Sequence, residues 1–450
     1  MAAKLTLICN GTLVNEGISF TGSILIKDNK IEKIYTASEE LPAVQNVIDA
    51  KGKLVIPGVI DDQVHFREPG STNKGSIETE SAAAVLGGVT SFMDMPNNNP
   101  PAVTIEALKA KNAIAKAVSY ANYSFYLGAT NDNIEQIKNA NPKETCGIKV
   151  FMGSSTGNML VDNEQALNKL FEESKLLIAT HCESEPIVQK NLKEAIDKYG
   201  KENIPFWEHC NIRSREACIE STKYALGLAL KYNSRLHILH ISTAEEIELI
   251  KKAANISPKI TAEACVHYML LDNSMYDTIG SQMKCNPAIK EKRDRIAIIK
   301  AVQDGVIRVV ATDHAPHTWE EKQANYLNAT SGLPLVQHSL QLMLEMANQG
   351  IFTIEEVVDR MAHSPALNFV VSKRGFLREG YFADIVIVDP TKTDSTSTTS
   401  PAYHCKWSPF KGKQFSNSII HTFVNGIQVV ALGHLTGEKA GQKLLFNYGV

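Results

Sequence analysis

Histidine and aspartate side chains recur at the ends of short apolar runs in this chain. His65, His181 and His240 each end such a run, and Asp313 ends another. Neutral imidazole and carboxylate are the usual protein ligands of zinc-class divalent ions. If these run ends meet in space, the four residues predict a metal site.

One lysine interrupts an apolar run, at Lys149 in the segment Gly147–Phe151. An ammonium group cannot ligate a cation, but burial favours the neutral amine, which can react with CO₂ to form a carbamate. The carbamate is a carboxylate on a long arm, and it could bridge two metal ions. The alternative is a lysine that pairs with a nearby acidic side chain.

The elements that must position these residues are short apolar runs separated by helical stretches. There are eight such runs: Val59–His65, Val89–Met95, Tyr123–Ala129, Gly147–Phe151, Lys175–His181, Arg235–Ile241, Lys259–Cys265 and Ile307–Asp313. Runs that are apolar on both faces are typical of parallel strands covered by helices. The alternation predicts an α/β fold, a TIM-like (β/α)₈ barrel, whose active site lies at the carboxyl ends of the strands. A doubly wound open sheet is the alternative, but it usually has fewer strands, and no Gly-x-Gly-x-x-Gly motif follows the first strand.

Short strands with turn signals flank the barrel region on both sides. The Asn425-Gly426 pair, between two apolar runs, is a strong hairpin signal. Because both ends of the chain must leave the barrel, we expect residues 1–55 and 371–450 to form one small discontinuous β-sandwich. Residues 56–370 are then the metal-dependent catalytic barrel.

The composition argues against several classes of protein. The 450 residues include 46 basic and 49 acidic ones, for a formal net charge of −3, whereas proteins that bind nucleic acid or anionic membranes usually have a basic excess. No apolar run reaches the about 20 residues needed to span a bilayer, and the N-terminal residues lack a signal-peptide pattern. The eight cysteines are scattered without a Cys-x-x-Cys pair, which favours reduced thiols in a cytoplasmic protein.

Several motifs resemble those of the amidohydrolase superfamily and, within it, the dihydroorotases. The motifs are Pro57–Gly70 with its HFREPG portion, Met95–Asn97, Gly147–Lys149, His181–Glu183, His237–Thr243, Cys285–Pro287, Asp313–His317, Ala383–Val388 and Ser408–Phe410. The resemblance covers nearly the whole chain. HFREPG together with DHAPH, at Asp313–His317, is fairly specific for dihydroorotases.

The resemblance implies a hydrolase that interconverts (S)-dihydroorotate and N-carbamoyl-L-aspartate in pyrimidine biosynthesis. It implies that His65, His181 and His240 are neutral metal ligands and that Lys149, as a carbamate, bridges the metals. Asp313 would ligate metal and act as the general base. The expected metal is zinc, with one or two ions per chain.

The resemblance also assigns a set of substrate-binding residues. Arg67 would hold the ring carboxylate through a bidentate pair, supported by Asn97 and His317. Asn286 and Gly332 are expected to bind polar atoms of the ring. The alternatives are that Arg67 pairs with a neighbouring acid and that Asn97 only belongs to a turn, where asparagine is common.

The first strand departs from the superfamily pattern at one position. The pattern is His-x-His, and here Gln63 replaces the first histidine, so that only His65 remains. A glutamine oxygen is a weaker zinc donor than imidazole. Three outcomes are open: a two-metal site with Gln63 as a weak ligand or with water in its place, a site with one tightly bound metal, or an inactive paralogue.

Two other functions are also open. A related cyclic amidohydrolase of the allantoinase or hydantoinase type would share the metal pattern, but generally without the Arg67 and Asn97 pair. A non-catalytic, dihydroorotase-like scaffold partner of a carbamoyl-transferase would fit Gln63. No nucleic-acid or membrane partner is expected, and the oligomeric state, including a homo-oligomer, is left open. His237 is interpreted as structural, and Gly153–Leu160 as a loop beside the mouth, either mobile or an ordinary connection.

Overall fold

A computed structural model describes residues 4–153, 159–395 and 402–448. Residues 154–158, in the middle of the loop expected beside the mouth, lie outside these ranges. The strands are β1 (Leu5–Asn15), β2 (Ile18–Lys27), β3 (Lys30–Thr36), β4 (Asn46–Asp49), β5 (Leu54–Pro57), β6 (Val59–Val64), β7 (Val89–Asp94), β8 (Asn122–Phe125), β9 (Leu127–Gly128), β10 (Ile148–Phe151), β11 (Ile178–His181), β12 (Leu236–Ile238), β13 (Ile260–Cys265), β14 (Val309–Ala311), β15 (Ile385–Asp389), β16 (Asp394–Ser395), β17 (Gln414–Phe415), β18 (Ser418–Val424), β19 (Ile427–Ala431) and β20 (His434–Leu435).

Helices separate the central strands. They are α1 (Ile77–Leu86), α2 (Ile105–Val118), α3 (Ile134–Lys138), α4 (Glu164–Glu173), α5 (Glu185–Tyr199), α6 (His209–Ile212), α7 (Arg215–Tyr232), α8 (Ala244–Ile256), α9 (Val266–Leu270), α10 (Tyr276–Ile279), α11 (Lys292–Gln303), α12 (Trp319–Lys322), α13 (Ser339–Asn348), α14 (Ile354–Val358) and α15 (Ser364–Asn368). Within the described ranges, no helix is both long and apolar enough to cross a membrane.

Polar residues fix where several of these helices begin. The Thr104 side chain accepts a hydrogen bond from the Ala107 amide at the start of α2. At α8, Thr243 and Glu246 form a reciprocal capping box that satisfies two otherwise unpaired backbone amides. These caps fix the residue at which each helix begins. The length of the loop between the helix and the preceding strand is therefore also fixed.

The central strands close into an eight-stranded parallel barrel, which confirms the predicted fold. One parallel sheet runs in the order β9 to β14, and another contains β6, β7 and β8. A parallel bridge between Val64 and His314 joins the first and last strands, and the His65 amide donates to the His314 carbonyl at 2.7 Å. The joint between the two sheets lies at Tyr126.

Each predicted run contains a barrel strand, but the observed strands are shorter. The run Tyr123–Ala129 is divided into β8 and β9 at Tyr126, whose buried hydroxyl donates to the Asp62 carbonyl at 3.0 Å. Strand β14 occupies only Val309–Ala311 of the run Ile307–Asp313. The remaining residues of these runs lie outside the regular strands.

Strands from both ends of the chain form a single nine-stranded sheet. Its order is β20-β19-β18-β15-β5-β1-β2-β3, and β4 also pairs with β1. Ile8 and Ile24 from the N-terminal strands share a core cluster with Ile385, Ile387 and Phe423 from the C-terminal strands. The expected sandwich is therefore a continuous sheet with its own core, and the boundaries at residues 55 and 371 remain a prediction.

The C-terminal region does more than complete this sheet. The Leu444 amide donates to the Tyr123 carbonyl at 2.8 Å, and the Trp407 indole donates to the His317 carbonyl at 2.7 Å. Two segments of the C-terminal region therefore return to the barrel, where they contact its third strand and the loop after its eighth strand. The sequence alone gave no indication of these contacts.

Asp384 links the terminal sheet to the barrel. Its carboxylate forms an ion pair with Arg374, and both side chains are 3% exposed. The Asn122 amide in β8 donates to it at 3.1 Å, and the Asn425 backbone amide donates at 2.7 Å. The carboxylate thus joins both parts of the molecule.

We predict that Asp384→Ala lowers the free energy of unfolding by about 3–5 kcal/mol, because it leaves the Arg374 charge buried without its partner. The matched control is Asp304→Ala, which removes an exposed ion pair with Lys300 on α11 and should change stability little. Urea denaturation of the three proteins checks the difference. Similar losses in the two variants would contradict the linking role of Asp384.

Candidate active site

A small pocket lies at the carboxyl ends of the barrel strands. Its lining residues are Gln63, His65, Arg67, Lys149, Phe151, His181, His240, Asn286, Asp313, Ala315, Ser331 and Gly332. Nine of these residues are sequence-predicted site residues. The other two predicted residues, Asn97 and His317, contact the pocket through His65 and Arg67. The structure thus brings together every residue that the sequence assigned to the site.

Asp313 follows β14 and faces the residues of the first strand. Its Oδ1 accepts a hydrogen bond from Gln63 Nε2 at 3.0 Å and lies 3.0 Å from His65 Nε2. Burial raises the pKa of Asp313, but the hydrogen bond and charge of His65 outweigh it, and the pKa falls to about 2. Asp313 is therefore ionised at neutral pH and can accept a proton.

Gln63 is oriented as a hydrogen-bond donor toward the site. Its amide nitrogen faces Asp313, while its oxygen lies 3.9 Å from the Cys265 thiol sulfur. The oxygen is the only ligating atom of a glutamine, and here it points to the thiol. This orientation explains how a glutamine fits the first position of the motif: it holds the Asp313 carboxylate in place.

Two histidines face each other across the pocket. His181 Nδ1 lies 3.1 Å from His240 Nε2, and both side chains are buried. Glu183 lies 2.9 Å from His181 Nε2 and is held by an ion pair with Arg213. His181 Nε2 therefore carries the ring proton and donates it to Glu183, which in the neutral ring leaves Nδ1 with the lone pair.

The same tautomer argument applies to the first strand. His65 Nδ1 lies 2.7 Å from the Asn97 side-chain oxygen and donates to it, so the ring faces Asp313 with Nε2, which becomes a metal-binding lone pair once a metal ion displaces its proton. Burial lowers the pKa of His181 and lowers that of His240 well below its ordinary value, so both rings are neutral. Three imidazoles and one carboxylate therefore converge, and when the facing ring nitrogens are unprotonated this donor set fits a divalent metal ion.

Lys149 lies on β10 within the same pocket and is 1% exposed. In the described part of the chain it forms no ion pair, and its ammonium nitrogen lies 4.7 Å from the centre of the Phe151 ring. Burial lowers the pKa of Lys149 to about 8, against the opposing effect of Asp313 and Glu263. A substantial fraction of neutral amine is therefore available near physiological pH, as carbamate formation requires.

Arg67 lines the pocket, and His317 contacts it. Arg67 Nε donates to the Pro316 carbonyl at 3.0 Å, and Nη2 lies 3.0 Å from His317 Nε2. Burial and the Arg67 charge lower the pKa of His317 to about 3, so this imidazole is neutral, and its Nε2 lies 3.0 Å from both Arg67 Nη2 and the Ser331 carbonyl. Among the described residues Arg67 forms no ion pair, and the neighbouring Glu68 accepts from the Ile77 amide instead.

Three pocket residues have left-handed backbone conformations. The φ angles are +69° at Arg67, +40° at His240 and +49° at Asp313. Such angles are uncommon outside glycine and are held only where the surrounding structure imposes them. The turns at the strand ends therefore aim these side chains into the pocket at some cost in backbone energy.

Comparison with known proteins places the chain in a family. A family model described as the amidohydrolase family matches residues 54–429. The chain belongs to the amidohydrolase family. Members of this family use divalent metal ions, in agreement with the donor set of the pocket.

Two similar members of the family are named dihydroorotases. The protein from Methanosphaera stadtmanae is 31% identical over 403 residues, which cover 89% of this chain and 90% of the relative. The protein from Pyrococcus abyssi is 31% identical over 444 residues, which cover 98% and 99%. The solved structure of an L-hydantoinase (dihydropyrimidinase) from Arthrobacter aurescens matches with a TM-score of 0.92 and 27% identity, covering 98% of this chain and 99% of that one.

Sequence reasoning missed some buried groups around this amidohydrolase site. Glu183, two residues after His181, received no role, although an acid so close to a strand-end histidine is a recognisable signal. Arg213 lies outside every motif and could not have been found. Asp62 and Glu263 were also missed, and together with His237 they form a separate buried cluster.

We predict that Glu183→Gln weakens metal binding at the pocket by about 10- to 100-fold, because the variant no longer fixes the tautomer of His181. Competition with a chromogenic chelator measures the affinity. The control is Glu194→Gln, which alters an exposed glutamate on α5 and should leave affinity unchanged. Equal affinities in both variants would refute the orienting role of Glu183.

Proposed function

We propose that the chain is a cytoplasmic dihydroorotase that interconverts (S)-dihydroorotate and N-carbamoyl-L-aspartate in pyrimidine biosynthesis. The observation that carries the proposal is Arg67, a guanidinium that is 7% exposed, lines the pocket and has no carboxylate partner among the described residues. A buried cation of this kind suits an anionic substrate. The two relatives named dihydroorotases support the same assignment.

Arg67 favours dihydroorotate over other cyclic amides. The ring carboxylate of dihydroorotate can pair with the guanidinium through two hydrogen bonds, whereas hydantoins and dihydrouracil carry no such group. Asn97 holds His65, and His317 holds Arg67, so both would act by fixing the residues that touch substrate. A hydantoinase remains the second candidate because of the structural match to the L-hydantoinase.

Asn286 and Gly332 would shape the position of the ring. The side-chain oxygen of Asn286 is buried without a hydrogen-bond partner in the described structure, which suits a ring N–H. Gly332 has φ of +135°, and a Cβ there would lie 2.8 Å from Ala315, so only glycine fits. Its amide already donates to the Lys284 carbonyl at 2.8 Å. Gly332 would therefore shape the wall of the pocket and would not bind the ring through its amide.

Asp313 would transfer the proton in the reaction. A divalent metal, for which zinc is our proposal, would be held by His65, His181, His240, Asp313 and a carbamylated Lys149, and it would polarise the ring carbonyl and acidify the attacking water. Ionised Asp313 takes a proton as the water oxygen bonds to the carbonyl carbon. It then delivers the proton to the ring nitrogen as the C–N bond breaks. Gln63 keeps Asp313 oriented toward both positions.

We predict that Arg67→Met lowers kcat/KM for dihydroorotate by about 100-fold, mainly through a higher KM, because the variant loses charged hydrogen bonds to the carboxylate. The assay follows ring opening by absorbance in metal-loaded protein, with metal content measured in parallel. Leu327→Met, a change of an exposed residue, is the control. Unchanged kinetics in Arg67→Met would refute the assignment, and a wild-type protein without metal or turnover would favour the scaffold alternative.

We also predict that Lys149 is carbamylated in the active protein. Carbon-13 NMR of protein prepared with labelled bicarbonate should give one carbamate signal that disappears in Lys149→Met. Full activity without this signal would contradict the metal-binding role of Lys149, because an ammonium group cannot ligate a metal.

A further inference from the structure

Three more buried groups meet inside the barrel, one layer nearer the amino ends of the strands than the pocket. Asp62 on β6 precedes Gln63, His237 on β12 lies three residues before His240, and Glu263 lies on β13. All three side chains are 0% exposed, and one ligand atom from each lies within 4.8 Å of the others. None of the three lines the pocket.

The atoms that face each other in this cluster are left without hydrogen bonds. His237 Nε2 lies 3.2 Å from Asp62 Oδ2 and 3.5 Å from Glu263 Oε2. Neither contact has hydrogen-bond geometry, and both Asp62 oxygens, Glu263 Oε2 and His237 Nε2 have no partner within the described ranges. Buried polar atoms without partners are costly, so this cluster requires a cation or additional protons.

The surroundings of His237 favour a cation. Its Nδ1 lies 2.8 Å from Thr261 Oγ1, and that hydroxyl donates to the Leu236 carbonyl at 3.3 Å, so Nδ1 carries the proton. The atom 3.1 Å from Nδ1 is the side-chain nitrogen of Asn368, a donor; turning this amide by 180° leaves its shape unchanged and puts its oxygen there, as the acceptor that this tautomer requires. His237 Nε2 then presents a lone pair to two carboxylates, which is the usual arrangement of a metal-binding histidine.

We propose that Asp62, His237 and Glu263 form an internal site for a divalent transition-metal ion, such as Zn²⁺ or Mn²⁺, separate from the pocket. Tetrahedral zinc with ligand bonds of 2.0–2.2 Å places its ligand atoms about 3.3–3.6 Å apart. The separations of 3.2 and 3.5 Å from His237 Nε2 are close to this. Two carboxylates and a neutral imidazole also balance the charge of one divalent ion.

Such an ion would act as a positioning element for the pocket above it. It would join β6, β12 and β13, which are far apart in sequence. The second oxygen of Glu263 accepts a hydrogen bond from the His240 backbone amide at 3.1 Å. An ion that fixes Glu263 therefore also fixes the strained backbone of His240, a predicted ligand of the pocket metal.

Anomalous diffraction from crystals of the wild-type protein, grown with Zn²⁺ or Mn²⁺ and measured on both sides of the metal edge, tests the proposal. We expect an anomalous peak within bonding distance of Asp62, His237 and Glu263, in addition to any peak in the pocket. No peak among these residues, even when the pocket is occupied, would overturn it and indicate that protons balance the cluster. That result would leave the dihydroorotase proposal standing.

Metal analysis of variants gives an independent test in solution. Asp62→Asn should lower the metal-to-protein ratio by one after dialysis against metal-free buffer. The matched control, Asp61→Asn, changes the adjacent buried carboxyl, which already accepts hydrogen bonds from Thr312, and should keep the ratio. Equal ratios in both variants would refute the internal site, while circular dichroism verifies that each variant is folded.

Discussion

The structure depends on one constraint: a closed parallel barrel brings the ends of distant strands to one rim and buries them there. His65, His181, His240 and Asp313 come from four strands, yet their side chains meet within a single small pocket. Because these side chains are buried, the surrounding protein fixes how they are oriented, and a cation would balance the donor set. The left-handed turns, the capped helices and the terminal sheet all serve to hold this rim in place.

Much of this arrangement could be predicted from the sequence. Continuous apolar runs reveal buried parallel strands, and the polar residue that ends each run lies at the rim because parallel strands share one direction. Residues such as Asp313 and Arg67 therefore fell in the pocket as expected. The break of the third strand at Tyr126 was not predictable, because it depends on a hydrogen bond to Asp62 from another strand.

Contacts between distant residues set the limit of prediction. From the sequence alone, Gln63 indicated a weakly ligated two-metal site, a site with one metal, or an inactive paralogue. Its orientation toward Asp313 follows only from the packed barrel. His237 was interpreted as structural, because a single histidine on a strand reveals nothing of its neighbours. Its contacts with Asp62 and Glu263 join three strands and depend on the barrel closing.

The charge distribution explains how a chain with a net charge of −3 can attract an anion. The buried Arg67 provides a local positive charge, and burial lowers its pKa only to about 10, so the guanidinium stays protonated at neutral pH. In the proposed function the pocket itself would carry the selectivity, through Arg67 beside the metal-type ligands. The chain is similar to relatives named dihydroorotases and shares its fold with an L-hydantoinase. This agrees with the proposal that the metal side of the pocket is common to these enzymes and that the substrate side differs.

The ratio of kcat/KM for dihydroorotate to that for dihydrouracil tests the central claim most directly. The two substrates share the ring and the bond that breaks, and they differ in the carboxylate that Arg67 would bind. We expect a ratio of about 100 or more for the metal-loaded protein, because charged hydrogen bonds are lost with dihydrouracil. A ratio near one, or a preference for dihydrouracil, would contradict it and identify a hydantoinase-type enzyme.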